Sequence, residues 1–503
     1  MLQQEKYTSA LFCEIEPKTP FEMAFSISKL KHLKKVTSLN LKILPLKLCT
    51  PHFLKSLSIT LSHLKSLKSL SISFPVLIEM TPKLLTSFFF ALRRLNSLVS
   101  LSLKLRASRG FNDKSWIALS SCLTRLPQLK SFTVALENSE RISRSVLNFF
   151  APIFKKLTSL QNLEVNLKNC NCIYFQYIID FFASLNNLKS LKSLALNFKG
   201  CTTNTASTDP ISTGLNVLDP SILESLDLKY YSERNPVSLP ELGTALQRFT
   251  SLRNLTLGFT RNQRITDQGL HQLASSLQTL HSLSSFKINL STTRLTNSVR
   301  VLGDTIKHFT KLKSLSLNFN QTKTIDDSQL SSLSAGLQSL TTLKNLTLKF
   351  SDFIVTDRGF ALFSKALQGL NELSTLKLKL FNIYALTNKT IISLSFAIGN
   401  LTKLTDLSFS LVASSDFDRK SINSLRQALE NLSLLTSLYF DFSRGFFLKG
   451  EGDDLLAIFK ALGRLKYLRK IIATLPFSPA NITASQLYTR QVSDQTYFWE
   501  SSD

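Results

Sequence analysis

The sequence has little of what defines a disulfide-rich, a membrane-spanning or a secreted protein. Six cysteines in 503 residues are too few for a disulfide scaffold. The longest apolar runs, such as residues 88–92, fall far short of the roughly 20 residues that a bilayer-spanning helix needs. The first residues contain no basic segment followed by an apolar one, so no secretory signal is visible. We therefore expect no membrane insertion and a reducing compartment, the cytoplasm or alternatively the nucleus.

The chain also lacks the residue groups that carry catalysis or hold a cofactor. Its six histidines form no His-x-x-x-His pair and no cluster with cysteines, so the spacing predicts no metal site. Glycine is scarce, with 15 residues, and the Gly/Asp segment 445–454 lacks the Lys-Ser/Thr of a phosphate-binding loop. We predict no catalytic residues, no cofactor and no enzymatic activity.

Apolar and basic residues are abundant. The apolar content of 43% excludes a disordered chain, which lacks the apolar surface that offsets the entropy of ordering. Lys and Arg number 60 against 34 Asp and Glu, which gives a formal net charge of +26. A protein with such an excess attracts partners of negative charge.

A Leu-x-Leu-x-apolar unit recurs about every 31 residues along almost the whole chain. Its alternation with period two is typical of a short strand that is buried on one face. A degenerate last copy lies near Ile471. The fourteen regular copies begin at Leu39, Leu70, Leu101, Phe132, Leu163, Leu194, Leu226, Leu255, Phe286, Leu315, Leu346, Leu376, Leu407 and Leu438.

Between these strands the apolar spacing becomes helical. Leu270, Leu273 and Leu277 share one helix face, and Thr266 or Asp267 supplies an N-cap oxygen. One strand and one helix cannot bury both apolar faces alone, so neighbouring repeats must stack, with their strands parallel. The pattern predicts an α/β solenoid of about 15 repeats, with a parallel sheet on the concave face and helices on the convex face.

The repeat array is predicted to span residues 28–476. Residues 1–27 are expected to form an N-terminal cap, and residues 477–503, which contain Tyr497-Phe498-Trp499, a C-terminal cap or a tail with a docking motif. Residues 199–245 are irregular, rich in Ser, Thr, Asn and Pro, and predicted to be dominated by loops. They are interpreted either as a binding loop or as degenerate repeats without a function of their own.

The composite pattern Leu-x-x-Leu-x-x-Leu-x-Leu-x-apolar resembles the leucine-rich repeat family, most closely the longer, helix-containing type typified by ribonuclease inhibitor. The resemblance implies a horseshoe-shaped binding scaffold. One departure concerns the family's buried Asn, which is present at only one of the fourteen matching positions, Asn320. The preceding residue is apolar in every copy, as at Phe74, Phe319 and Phe350. We predict strands that are longer by a residue pair, with a Phe/Leu spine in place of the Asn ladder.

The strand alternation also predicts which side chains point outward from the sheet. Basic residues outnumber acidic ones at these positions by a larger ratio than in the whole chain. Phe381 and Tyr384 flank the densest basic run, and Tyr230 and Tyr231 in the irregular region form a second candidate surface. The candidate partner-binding lysines are Lys287, Lys313, Lys344, Lys349, Lys377 and Lys379.

Three functions compete on these observations. The leading hypothesis is a monomeric, non-enzymatic scaffold that binds an acidic protein surface or peptide on its concave face. The second is RNA binding through phosphate neutralisation, for which aromatic side chains are scarce on the predicted face. The third is a regulator or inhibitor of an enzyme or a GTPase. The alternative to all three is that the lysines only keep a long sheet soluble.

Cys170 and Cys201 lie 31 residues apart, at equivalent places in adjacent repeats. Paired strands would bring them about 5 Å apart, within disulfide reach. The alternative is a pair of reduced cysteines, and the sequence leaves both open.

Overall fold

In a computed structural model of the 503-residue chain, two compact units comprise residues 1–252 and 253–503. The structure describes residues 10–15, 35–43, 51–74, 81–106, 111–139, 146–170, 175–201, 209–231, 237–322, 325–383, 387–413, 416–441, 446–447, 458, 461–474 and 496–499.

Unit 1 alternates strands with helices. Strands β1 to β8 each pair in parallel with the next. The strands are β1 (Ala10–Ile15), β2 (Ser38–Ile43), β3 (Ser69–Phe74), β4 (Ser100–Leu105), β5 (Ser131–Ala135), β6 (Asn162–Asn166), β7 (Ser193–Lys199) and β8 (Ser225–Tyr231). The helices are α1 (Pro51–His63), α2 (Pro82–Leu92), α3 (Asp113–Leu123), α4 (Phe150–Phe154), α5 (Phe175–Leu185), α6 (Pro210–Val217) and α7 (Leu239–Leu246).

Unit 2 is built on the same alternation. Its long strands pair in parallel in chain order, and the two-residue strands β15 and β17 pair with each other. The strands are β9 (Asn254–Gly258), β10 (Ser285–Asn289), β11 (Ser314–Phe319), β12 (Asn345–Phe353), β13 (Thr375–Ile383), β14 (Asp406–Ala413), β15 (Asp416–Phe417), β16 (Ser437–Asp441), β17 (Phe446–Phe447), β18 (Lys470–Thr474) and β19 (Thr496–Trp499). The helices are α8 (Asp267–Leu277), α9 (Ser298–Ile306), α10 (Asp327–Gln338), α11 (Asp357–Gln368), α12 (Asn388–Gly399) and α13 (Arg419–Glu430).

The predicted register of the repeats is confirmed. Within each compact unit, the first Leu or Phe of a repeat pairs with that of the next repeat, as Leu346 does with Leu376, and all fourteen first positions are at most 2% exposed. Thr266 caps α8 as expected, because its side chain accepts a hydrogen bond from the Gly269 N–H at 3.1 Å. Each strand therefore buries one face, and its polar residues lie on the opposite, open face of the sheet.

The predicted strand extension holds in part. Strands β7 and β8 have seven residues, and β12 and β13 have nine. Strands β5, β6, β9 and β10 stop at five residues, but the next residue still pairs with the neighbouring repeat, as the Leu136 N–H does with the Asn166 carbonyl at 2.8 Å. The apolar spine is present, and in it the Phe319 and Phe350 rings stack 5.5 Å apart.

The spine does not replace a buried polar ladder, because a ladder is present two residues after the position that matches the family's Asn. Among the described residues, the third residue after the spine position is buried, and small, polar or thiol-bearing, in six repeats. The Cys170 thiol donates to the Leu136 carbonyl of the preceding repeat at 3.1 Å, and Thr293 Oγ1 donates to the Leu290 carbonyl at 2.8 Å. The ladder consists of Ser139, Cys170, Cys201, Asn262, Thr293 and Thr322.

Cys170 and Cys201 are reduced cysteines that form no disulfide, and both belong to the buried ladder. Burial raises the pKa of Cys170 to about 12 and that of Cys122 to about 12. Since the thiolate is the reactive form, we expect neither Cys170 nor Cys122 to react with a thiol reagent in the native protein at pH 8. Both of these cysteines should react fully after denaturation without reductant, and mass spectrometry of the alkylated peptides measures the reaction. Rapid native alkylation, or a missing Cys170 thiol after denaturation, would contradict this assignment.

The irregular region 199–245 keeps its helices, which corrects the expectation of loops. Helices α6 and α7 have eight residues each. Asp209 caps α6 by accepting from the Ile211 N–H at 3.0 Å, and Pro210 provides a first helical residue whose φ is already suitable. The Asp209-Pro210 pair is typical of a helix start and indicates α6 in the sequence, although the surrounding Ser and Thr residues favour a loop.

Hydrogen bonds between repeats order the helix starts of unit 2. Asp327, in the first turn of α10, accepts from the Thr356 N–H at 2.8 Å and from its hydroxyl at 2.6 Å. Asp357 of α11 accepts in the same way from the Thr387 hydroxyl at 2.6 Å. Each of these helix starts is thereby hydrogen-bonded to the residue that precedes the next helix, which stabilises the stacking of adjacent repeats.

The predicted caps each contribute a strand. Strand β1, within residues 1–27, pairs with β2 in the register of the repeats, with Leu11 opposite Leu39. Strand β19, within residues 477–503, pairs with β18, with Tyr497 opposite Ile471. The sheet in each unit thus extends into the segment that the sequence assigns to a cap.

Candidate functional site: a lysine groove on the sheet of unit 2

The open face of the sheet in unit 2 carries a groove of about 580 Å³, which we call the lysine groove. It lies across β10 to β14, β16 and β18. Among the described residues, five lysines and one acidic residue contribute to its wall. Its charged, amide and aromatic side chains are Lys287, Asn289, Asn318, Lys349, Lys377, Lys379, Asp406, Tyr439 and Lys470.

The strand register brings the central lysines together. Lys349 of β12 lies directly opposite Lys379 of β13, and strands are spaced about 4.8 Å apart. Lys377 lies two residues earlier on β13, on the same face of the sheet. Lys287 occupies the same row as Lys377, with Ser316 and Thr347 between them on β11 and β12.

The environment of Lys349 is electropositive. Partial burial, together with the positive charges of Lys379, Lys287 and Lys377, lowers the pKa of Lys349 below its ordinary value of 10.5. Among the described residues, none of the four has a carboxylate oxygen within 4.0 Å of its ammonium nitrogen. The centre of the groove therefore concentrates positive charge.

Basic residues on the sheet face of unit 1 have a different environment, because several pair with acids in the same or the next strand. Glu137 is the best-held of these acids. Its side chain is 15% exposed and accepts from both Arg106 Nε and Asn166 Nδ2. The ion pairs are Arg106 with Glu137 at 3.2 Å, Lys192 with Glu224 at 3.1 Å and Lys229 with Asp227 at 2.8 Å.

Two asparagines add neutral donors to the lysine groove. Asn289 Oδ1 accepts from the Ser291 N–H at 3.0 Å, and Asn318 Oδ1 accepts from the Asn320 N–H at 3.1 Å. Because each amide oxygen is turned to its own backbone, each NH₂ group points away from that turn. The groove thus offers hydrogen-bond donors beside its charges.

The predicted site residues separate into three groups. Lys287, Lys349, Lys377 and Lys379 line the groove. Lys313 and Lys344 are exposed just before β11 and β12 and do not line it, and Phe381 is partly exposed in β13. Tyr384 lies outside the described residues.

Tyr230 does not lie on the surface, contrary to its assignment as a partner-binding residue. It is 8% exposed, and its hydroxyl donates to Asp209 Oδ2 at 2.9 Å. Tyr231 ends β8, and only its backbone is described. The strand position of Tyr230 turns its side chain inward, where the apolar ring is buried. Its hydroxyl group binds Asp209, the residue that caps α6, so Tyr230 stabilises the start of that helix.

The sequence reasoning did not single out the other charged, amide and aromatic groove residues, which are Asn289, Asn318, Asp406, Tyr439 and Lys470. Tyr439 lies on β16 with the Lys379 ammonium 5.3 Å from its ring centroid, within cation–π range. Lys470 begins β18 in the degenerate last repeat. Tyr439 occupies an outward position two strands from Lys377, so scoring aromatic as well as charged residues along that row would have found it.

A second concavity, of about 670 Å³, lies between helices α8 and α9. Its charges are mixed, with Asp267, Asp304 and Arg300 all in its wall. Asp267 is already occupied, because it accepts from the Thr296 N–H at 2.9 Å. The lysine groove, where five lysines outnumber one aspartate among the described residues, is the better candidate site.

No helix in the described part of the chain is both long and apolar enough to cross a membrane. No group of three or more His, Cys, Asp and Glu side chains in the described ranges is arranged to hold a metal ion.

The architecture of both units is that of an α/β leucine-rich repeat solenoid, with one parallel strand and one helix in each repeat. No family model matches the chain, and no curated protein matches it. Among solved structures, the chain is similar to one in the complex of Toll and Spätzle from Drosophila, at 15% identity and a TM-score of 0.35, over 93% of this chain and 57% of that one. It is also similar to a chain of the yeast Rad7 and Elc1 complex, at 14% identity and a TM-score of 0.42, over 95% of this chain and 92% of that one.

Proposed function

We propose that the protein is a non-enzymatic scaffold that binds an acidic protein surface or peptide in the lysine groove. The observation that carries the proposal is the cluster of Lys287, Lys349, Lys377 and Lys379, which has no carboxylate within ion-pair distance among the described residues. Converging like charges destabilise the free protein, and an acidic ligand relieves that repulsion.

The contrast between the units supports binding over a purely solubilising role. Lysines that only keep a sheet soluble gain by pairing with nearby acids, as Lys192 does with Glu224 at 3.1 Å. Lys349 and Lys379 instead lie side by side on neighbouring strands, and their mutual repulsion costs free energy that dispersed lysines would avoid. A cluster of this kind fits a ligand that supplies the missing negative charge.

The proposal extends to the organisation of the chain. Residues 1–27 and 477–503 cap the array of repeats. The array is of the ribonuclease-inhibitor-like type, and the helices between its strands support this part of the proposal. The protein acts as a monomer in the cytoplasm. The repeats supply a rigid surface, and the caps cover the apolar ends of the array.

RNA binding is the competing function, favoured by the net charge of +26. Sequence-tolerant binding of single strands uses several aromatic platforms, and Tyr439 is the one aromatic ring among the described residues that line the groove. Regulation of an enzyme would be one consequence of protein binding.

Binding of defined polyanions to the full chain tests the proposal. Fluorescently labelled poly-glutamate and a single-stranded RNA of equal charge are titrated with protein at low and near-physiological salt. We expect poly-glutamate to bind and its affinity to fall steeply with salt, because exposed charges are screened within about 8 Å at physiological ionic strength. Binding of RNA alone at near-physiological salt would replace the proposal with nucleic-acid binding. Binding of neither polymer would leave the lysines as solubilising residues.

A further inference from the structure

Unit 1 shows how this sheet face holds an acidic group. Glu137 is bound by Arg106 at 3.2 Å and by the amide nitrogen of Asn166 at 2.6 Å. Asn166 Oδ1 accepts from the Lys168 N–H at 3.1 Å, which turns the amide nitrogen toward the acid. One basic group and one oriented amide therefore hold one carboxylate, whose charge is a single negative unit.

The lysine groove contains the same two kinds of group, basic side chains and oriented amides, in larger number. Among the described residues, no carboxylate is held between them as Glu137 is in unit 1. Asn318 occupies the position in its repeat that Asn166 occupies in its own, and its Oδ1 is held by the same two-residue turn. Its neighbour across the strands is Lys349. Lys379 follows on the next strand, so an oriented amide and two ammonium groups lie in one row.

The charge of the groove exceeds what one carboxylate neutralises. Lys349 lies opposite Lys379 in the register, and the charges of Lys287, Lys377 and Lys379 all act on it, so several positive groups act on a ligand at this place. Side chains on one face of an extended peptide lie about 7 Å apart, so such a peptide brings one carboxylate at a time to that point. A phosphorylated side chain brings a charge of about −1.5 to −2 and three acceptor oxygens to a single point.

The basic residue type of the groove is compatible with a phosphoryl group. Arginine and lysine both bind carboxylates and phosphates, and in unit 1 carboxylates pair with Arg106 and with Lys192. Among the described residues, the basic side chains of the groove are all lysines, which act as point charges and bind a tetrahedral phosphate without a planar requirement.

Resting on the proposed function, we infer that the lysine groove selects a peptide that carries a phosphorylated Ser or Thr. Lys349, Lys377 and Lys379 hold the phosphoryl group, and the Asn318 amide nitrogen donates to one of its oxygens. Asp406 on β14 repels the phosphoryl group, which restricts it to the β11–β13 side of the groove. The peptide residue that faces Asp406 should therefore be neutral or basic.

Three peptides of one Ala/Gly sequence test the inference, with a central Ser, Glu or phosphoserine. Binding to the full chain is measured by fluorescence anisotropy at constant ionic strength. We expect the phosphoserine peptide to bind at least about tenfold more tightly than the Glu peptide, since it adds roughly one unit charge near several ammonium groups. Free phosphoserine should compete with it, which shows that the phosphoryl group itself is recognised.

Two substitutions localise the effect. Lys349→Met should reduce the preference for phosphoserine over Glu to less than threefold, and Lys379→Met should do the same if the first variant folds poorly. Lys365→Met, an exposed lysine of α11, should leave the preference unchanged.

Equal affinity for the Glu and phosphoserine peptides would overturn this inference and leave the proposed function standing. Absence of binding to every acidic peptide would overturn both. A preference that persists in both groove variants would move phosphoryl recognition to another surface, and displacement of the phosphopeptide by RNA at lower concentration would reassign the groove to nucleic acid.

Discussion

Replacing Lys349, Lys377 and Lys379 together by Glu is expected to weaken binding of poly-glutamate about 100-fold or more. The substitutions turn three attractive charges into three repulsive ones at the centre of the groove. Even at the dielectric constant of water, a contact between unit charges about 4 Å apart is worth about 1 kcal/mol, so the reversal of three contacts exceeds the roughly 2.7 kcal/mol that corresponds to 100-fold. Titration by fluorescence anisotropy at low salt measures the loss.

A matched control separates position from net charge. Lys365, Lys389 and Lys420 are exposed at α11, α12 and α13 of the same unit, away from the groove. Replacing these three by Glu changes the net charge by the same amount. We expect the control to lose less than about fivefold, because distant exposed charges are screened. Equal losses in the two triple variants would show that binding follows net charge and that the groove has no special role.

Replacing Phe350 by Ala is expected to have the largest effect on stability, a loss of about 3–5 kcal/mol in the free energy of unfolding of unit 2. Phe350 is 1% exposed, directly follows Lys349 on β12, and stacks on Phe319 with ring centroids 5.5 Å apart. The truncation removes the transfer free energy of the ring and leaves a cavity between repeats that stack only on their neighbours. Urea unfolding followed by circular dichroism measures the change.

Phe396 provides the control for this prediction. It lies on α12 of the same unit with 64% of its surface exposed, so Phe396→Ala should change the unfolding free energy by less than about 0.5 kcal/mol. If both substitutions had similar effects, the Phe/Leu spine would not be the core of the repeat. The spine also supports the lysine row, so Phe350→Ala should weaken binding of poly-glutamate even where the protein remains folded.

The strict period made much of the fold predictable. Because leucines recur at matching positions, neighbouring strands pair without slippage, and Leu346 opposite Leu376 follows from the 30-residue interval alone. The alternation of period two then determines which side chains are outward. The sequence alone therefore predicts that Lys349 and Lys379 lie side by side, as they do in the structure.

The remaining features depend on interactions that the repeat pattern does not encode. Tyr230 occupies an inward strand position, and its buried hydroxyl is satisfied by Asp209, which lies 21 residues earlier. The polar ladder lies after the strands, where backbone geometry positions it: Asn169 and Thr292 adopt φ values of 55° and 60° just before Cys170 and Thr293. A positive φ at a β-branched residue has no signature in a hydrophobic pattern.

The groove itself was only partly predictable for a similar reason. Lys313 and Lys344 lie just before their strands and do not line the groove, although the sequence pattern predicts them to belong to the same surface as Lys349. Tyr439 and Lys470 enter it from β16 and β18, beyond the densest basic run. The three-dimensional course of the sheet determines which long side chains come close together. A count of charges along the sequence does not contain that information.

Lysine footprinting of the full chain in the presence and absence of poly-glutamate is the most direct test of the proposed binding surface. Brief acetylation followed by mass spectrometry reports the accessibility of each lysine. We predict strong protection of Lys287, Lys349, Lys377 and Lys379 by the ligand, with unchanged labelling of Lys365, Lys389 and Lys420. Unchanged labelling of the groove lysines under conditions where the ligand is bound would contradict the proposal that the lysine groove is the binding site.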